Sequence, residues 1–253
     1  MGALLTHRAM VGVRTLHPLK GEPEFSWRGA QPTRVEALSD MVFAFALTLL
    51  VVSNAPPGSF TELNDLLWGF PGFAAAFAML LMIWHAHYIF FRRYALEDGW
   101  TTALNAGLLF LILFFVYPLK YLATMFSAFV RSVAEGAPMA PLSIYEARDA
   151  LIILSLGYAA VFVMFFALNA HALSKADQLE LNERERQYTR FACWQCGVHI
   201  LVGLSAVIAA LTIPPPWSPF SGFAYFFIGP LIFLGGVLLV PGRKRQRQPQ
   251  PGL

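Results

Sequence analysis

Six stretches of apolar residues, at 35–53, 66–91, 101–126, 147–171, 190–212 and 222–240, organise the chain. Each is close to the roughly 20 residues a helix needs to cross the hydrocarbon core of a bilayer. Turn-rich or charged punctuation separates them, as at Asn54-Ala55-Pro56-Pro57-Gly58 and Pro214-Pro215-Pro216. Lipid offers no partner to a free backbone amide, and the period-2 alternation of a barrel strand is missing, so each run predicts a helix. The pattern predicts an all-α integral membrane protein with six transmembrane helices. Three regions are expected: a flexible cytoplasmic extension over 1–33, a six-helix transmembrane domain over 34–241 and a basic tail over 242–253.

Composition agrees. The 253 residues are 57% hydrophobic and only 13% charged, against about 25% charged in a soluble domain. The basic residues set an orientation. The extension with Arg34, the 92–100 loop, the 172–190 loop and the tail together hold fifteen, whereas the opposite side holds three, Lys120, Arg131 and Arg148. This alternation, loop by loop, predicts a multi-pass protein of the cell membrane with both termini cytoplasmic. The tail's Arg243, Lys244, Arg245 and Arg247 suit anionic membrane lipid, and no nucleic-acid partner is expected. Cys193 and Cys196 lie inside an apolar run and read as core thiols.

The first apolar run carries the unusual chemistry. It opens with Arg34, Glu36, Ser39 and Asp40 and then stays apolar except for Thr48. Ionisable groups inside a membrane helix are costly and need partners. Arg34 and Asp40 are six residues apart and do not face each other, so partners must come from neighbouring spans. His87 in the second run and Asn105 in the third are placed to supply them. The expectation is a buried polar network of Arg34, Ser39, Asp40, His87 and Asn105 that locks three helices together, as structural glue or as part of a gate.

These residues also carry a resemblance. Arg34-x-x-x-Leu38-Ser39-Asp40 resembles the R-x-x-x-F-S-D signature of the transmembrane-protein-175 type potassium channels. Downstream, the run Ala44–Val52 resembles that family's first helix, Trp84-x-x-His87 its second-helix W-x-x-H, and Leu104-Asn105 with Val116-Tyr117-Pro118 its third-helix motifs. The resemblance implies a homotetramer of six-helix subunits, with the four first helices lining a potassium-permeable pore. It further implies that Phe45 falls at an apolar constriction, Thr48 at a threonine ring contributing to selectivity, and Val52 at a further apolar ring. Phe45, Thr48, Leu49 and Val52 share one helix face, being spaced i, i+3, i+4 and i+7. The sequence contains no T-V-G-Y-G loop from which to build a carbonyl filter. It departs from the family pattern at Leu38, at Met41 where glycine is usual, at the bulky Phe45, and at Tyr88 in place of a second histidine.

Two other classes compete on the sequence alone. Histidines in or at the ends of spans, His87, His171 and His199, allow a haem-binding redox protein, but no pair has the spacing of a haem bundle. A secondary transporter would show half-to-half repeats and midplane charges, and neither is evident. Cys193, Cys196 and His199 spread around their helix, so no metal site and no cofactor are expected, nor is catalysis. The expected partners are potassium ions, membrane lipid and further copies of the chain.

Overall fold

The computed structural model describes residues 25–29, 31–51, 56–136, 144–214 and 217–239. The helices are α1 (Arg34–Val51), α2 (Phe60–Trp68), α3 (Phe70–Tyr94), α4 (Gly99–Glu135), α5 (Ile144–Ser174), α6 (Glu183–Thr212) and α7 (Ile228–Leu239), with a 3₁₀ segment, Ser218–Phe227, running straight into α7. Among the described residues there is no strand.

The expectation is six transmembrane helices; the described residues form seven α-helices, which need not all be spans. The second run splits at Gly69 into a short helix and a span, because Pro71 in the first turn of α3 has no N–H to continue α2. Ser59 caps α2, its Oγ accepting from the Glu62 N–H at 3.2 Å. No residue of α2 is buried. Five units are long and apolar enough to cross a membrane: α3, α4, Tyr145–Ser174 of α5, α6, and Phe220–Leu239. The chain is a multi-pass membrane protein. α1 is not one of the five. Its 18 residues would reach ~27 Å at 1.5 Å per residue, but they include Arg34, Glu36 and Asp40.

The last span is not one uniform helix either. Trp217, Phe220, Phe223 and Phe226 recur every three residues and stack in sequence with ring centroids 5.7 to 5.8 Å apart. A three-residue turn eclipses side chains at i and i+3, and this spacing favours it over the α-helix here.

Among the described elements α1 packs on α3 and α4, while α5 pairs with α6 more extensively than any other two helices pack, and α4 joins the two halves. The core of the first half comes from Phe43, Ala46 and Leu50 against Ile83, Phe90, Phe91, Leu108 and Ile112. Gly72 lets α3 and α4 touch: a Cβ there would lie 1.8 Å from the Ala123 carbonyl oxygen. Its N–H donates to Ser127 Oγ at 2.8 Å, and that hydroxyl donates to the Gly69 carbonyl at 3.0 Å. The remaining exterior is largely apolar, as suits a protein whose solvent is lipid.

The extension expected to be flexible over 1–33 is packed where it is described. Residues 25–29 lie across the ends of α3 and α6, with Phe25 buried edge-on against Tyr94 at 5.8 Å and beneath the Arg93 guanidinium at 5.0 Å. The Arg28 and Gly29 N–H groups both donate to the Arg92 carbonyl, at 3.0 and 3.1 Å. The ordered fold therefore starts at least as early as Phe25. Residues 1–24 and the tail 242–253 lie outside the described residues.

Candidate pore helix and its polar anchor

α1 has two opposed faces. Glu36, Ser39, Phe43, Ala46 and Leu50, spaced three and four apart, are buried against α3 and α4. Leu38, Met41, Phe45 and Thr48 follow the same spacing on the other side and are exposed, Met41 at 67% and Phe45 at 56%. At 100° per residue, Met41, Phe45 and Thr48 lie within about 60° of one another, opposite the buried stripe. Leu49 differs from the expected stripe: it is partly buried and packs on the core. Val52 lies outside the described residues.

Thr48 Oγ donates to the Ala44 carbonyl at 2.8 Å. Its one proton is thus engaged within the helix, and the lone pairs of the hydroxyl oxygen remain on the exposed face. An oxygen held this way accepts from, or coordinates, what passes it, and has no proton to donate.

Three of the five residues expected in the polar network form one directed chain. His87 Nε2 donates to Asn105 Oδ1 at 2.8 Å, Asn105 Nδ2 donates to Ser39 Oγ at 2.9 Å, and Ser39 donates to the Val35 carbonyl at 2.8 Å. All three side chains are buried. Because Oδ1 only accepts, Nε2 carries a proton. Phe91 and Phe43 flank the imidazole, with centroids 4.7 and 5.6 Å away. The other two residues stand apart. Asp40 is exposed and its Oδ1 accepts from Trp84 Nε1 at 2.8 Å, and Arg34 is exposed and takes no part in the chain of bonds.

A buried ion pair lies outside the expected set. Thr33 and Glu36 form a capping box at the start of α1: the Thr33 N–H donates to Glu36 Oε2 at 2.7 Å and the Glu36 N–H to Thr33 Oγ at 3.2 Å. Glu36 Oε1 then pairs with Arg92, and both side chains are buried. Arg92 also donates to the Gly29 carbonyl at 2.7 Å. α6 repeats the device. Asn182 and Glu185 form its capping box, and Glu185 is bound by Arg28 at 2.9 Å and by the Ser26 N–H at 2.8 Å. Arg92 reads in sequence as a loop charge, but it belongs to the last turn of α3. Glu36 was legible, since it sits one turn before Ser39 on the same face.

His171 and His199 are both occupied. His171 Nε2 meets Asp98 at 2.9 Å, beside Lys175 Nζ at 2.7 Å from the same carboxylate. Burial works to raise the Asp98 carboxyl, but hydrogen bonds from Lys175, the Thr101 backbone and His171 outweigh it and hold it below the usual carboxylate range. His199 bonds the Tyr158 hydroxyl and stacks on Phe162 at 4.0 Å. Among the described residues, no three His, Cys, Asp or Glu side chains converge as a metal site.

Residues 34–115, which hold α1, the anchor and the first 17 of the 37 residues of α4, match the family described as endosomal/lysosomal potassium channel TMEM175. A potassium channel of Marivirga tractuosa is 34% identical over 224 residues, covering 85% of this chain and 90% of that protein. A potassium channel of Chamaesiphon minutus is 28% identical over 199 residues, covering 70% and 90%. The crystal structure of a variant of the potassium channel MtTMEM175, in complex with a nanobody–MBP fusion, superposes with a TM-score of 0.77 at 33% identity. The match covers 85% of this chain and 97% of that one. Identity above 30% over nine-tenths of a relative, with the same fold, leaves one assignment: the chain belongs to the TMEM175 potassium-channel family.

Proposed function

We propose that the chain is a potassium-permeable channel of the cell membrane, formed by four copies around their α1 helices, with both termini cytoplasmic. The observation that carries this reading is the exposed face of α1, where Thr48 turns an acceptor-only oxygen outward between apolar side chains. α1 is then the sixth span. Its polar opening turns sit at the cytoplasmic mouth, where water reaches Arg34 and Asp40, and its apolar turns lie in the assembly. In a four-fold arrangement Phe45 forms a constriction that gates by dewetting, and Thr48 forms a ring of oxygens that replaces part of the hydration shell of a potassium ion. Met41 extends the apolar stripe on the cytoplasmic side, and Leu49, partly buried on the core, backs it; the further apolar ring expected at Val52 falls outside the described residues. The buried chain from Ser39 through Asn105 to His87, with Glu36 and Arg92, holds α1 at a fixed rotation, so the same residues face the axis in every copy. Two relatives named as potassium channels support the choice of ion.

Planar-bilayer recordings of the purified protein test the reading. Phe45→Ala should raise conductance and weaken the preference for potassium over sodium, and Thr48→Ala should weaken the preference alone. Currents unchanged by both would remove α1 from the pore.

A further inference from the structure

The exposed face of α1 carries one cation. Glu36, Ser39, Phe43, Ala46 and Leu50 define the buried direction of the helix, and at 100° per residue Arg34 points within about 20° of the direction opposite to it. Arg34 therefore heads the stripe that Leu38, Met41, Phe45 and Thr48 continue, all of them exposed. Its guanidinium has neither an ion pair nor a hydrogen bond among the described residues.

The acidic groups of α1 are placed elsewhere. Glu36 is buried and paired with Arg92. Asp40 points about 100° away from the outward direction, toward α3, where it accepts from Trp84 Nε1 at 2.8 Å. It also stands about 9 Å further along the helix, and helical side chains lean toward the N-terminus, so Arg34 leans away from its level. A cation in the first turn of a helix is disfavoured by the helix dipole. Nothing within the subunit thus accounts for a free arginine at this place.

We infer that Arg34 makes the channel rectify, an assignment that rests on the reading of α1 as the pore helix. Four copies of Arg34 form a ring of positive charge at the cytoplasmic mouth, roughly 16 Å below Phe45 on the same stripe. The ring repels potassium arriving from the cytoplasm and depletes it several-fold at the mouth when salt is low. Potassium travelling inward meets the ring only on leaving, past the constriction, so its supply at the outer mouth is unaffected. Outward current is therefore smaller than inward current at equal and opposite voltages.

Single channels of the full-length protein in planar bilayers, with the same KCl concentration on both sides, test this. In about 0.05 M KCl the wild type should pass several-fold less outward than inward current, and in about 1 M KCl, where charges are screened within a few ångströms, the ratio should approach unity. Arg34→Gln should bring it near unity at both concentrations, Arg34→Lys should keep the wild-type asymmetry, and Arg34→Glu should reverse it. Arg34→Cys, treated after assembly with membrane-impermeant sulfonatoethyl methanethiosulfonate, should respond from one side alone, which marks the cytoplasmic side, and should then behave as Arg34→Glu does. It decides the matter if the charge-changing variants do not assemble. A wild type that conducts equally in both directions at low salt, an asymmetry that high salt leaves in place, or one that Arg34→Gln or the modified cysteine does not move would overturn the inference. Currents that still respond to Phe45→Ala and Thr48→Ala would in that case leave the pore reading standing, whereas currents indifferent to those two substitutions would remove both.

Discussion

Glu36 holds α1 with both oxygens of one carboxylate, one capping the helix it starts and the other bound to Arg92 at the end of α3. A buried ion pair adds little over a well-packed apolar pair, but removing one partner leaves an uncompensated charge, at about 3–5 kcal/mol. Arg92→Met should therefore destabilise the subunit by about that amount. Glu36→Gln, which keeps the cap but not the charge, should approach it. The double substitution should be milder than the sum, as for residues in contact. Thermal unfolding in detergent of the three variants checks this, and additive losses would mean the pair is not coupled.

Asn105 is the middle member of its chain of bonds, so its loss strands two buried groups while loss of Ser39 strands one. Each buried unsatisfied group costs about 1–3 kcal/mol. Asn105→Ala should lower the unfolding temperature more than Ser39→Ala does. The reverse order would place the anchor on the bond from Ser39 to Val35 within α1.

Thr48→Ser and Thr48→Val separate oxygen from shape. Serine keeps the lone pairs and valine keeps the volume. We expect Thr48→Ser to retain most of the potassium preference in reversal-potential measurements, and Thr48→Val to lose it. Equal behaviour would show that the side chain at 48 acts by size.

The lowered carboxyl of Asp98 gives a pH dependence of definite sign. A depressed folded value means the contribution to stability is fully present above the ordinary aspartate value of 3.8 and is lost as pH falls below it through the folded value. Asp98→Asn keeps a good N-cap for α4 and removes the charge. It should be less stable than wild type at pH 7, and the gap should close on acidification below that value. A gap constant with pH would assign the effect to the cap alone.

Gly72→Ala should separate α3 from α4, since the added methyl meets the backbone oxygen of Ala123, which cannot swing aside. Reduced yield and stability are expected, whereas Gly99→Ala, where a Cβ meets nothing within 4 Å, should be tolerated.

The spans were legible because lipid imposes a length and an apolar composition on them. α1 was legible as the unusual helix, and the bonds joining Ser39, Asn105 and His87 follow from placing polar groups on adjacent spans. What was hidden depends on distance in sequence or on local geometry. Arg92 reads as a loop charge until Glu36, 56 residues away, is seen to bury it. Asp40 looks like a membrane-buried carboxylate, but it lies on the exposed face and needs only Trp84. Leu49 shares a nominal face with Phe45, yet rotates toward the core by about 40°. The three-residue spacing of Trp217, Phe220, Phe223 and Phe226 was readable, but inside a long apolar run it passes for α-helix.

The strap of residues 25–29 has a consequence for biogenesis. Arg28 is among the early residues to leave the ribosome, yet the carboxylate it binds, Glu185, is made 157 residues later. α1 is the first of the proposed spans to be made, so its start cannot be tied to α6 until the four helices between them, α2 to α5, have followed it. Closure of the subunit is therefore a late event, and a nascent chain halted before α6 would carry a first helix whose anchor to the second half of the protein has yet to be made.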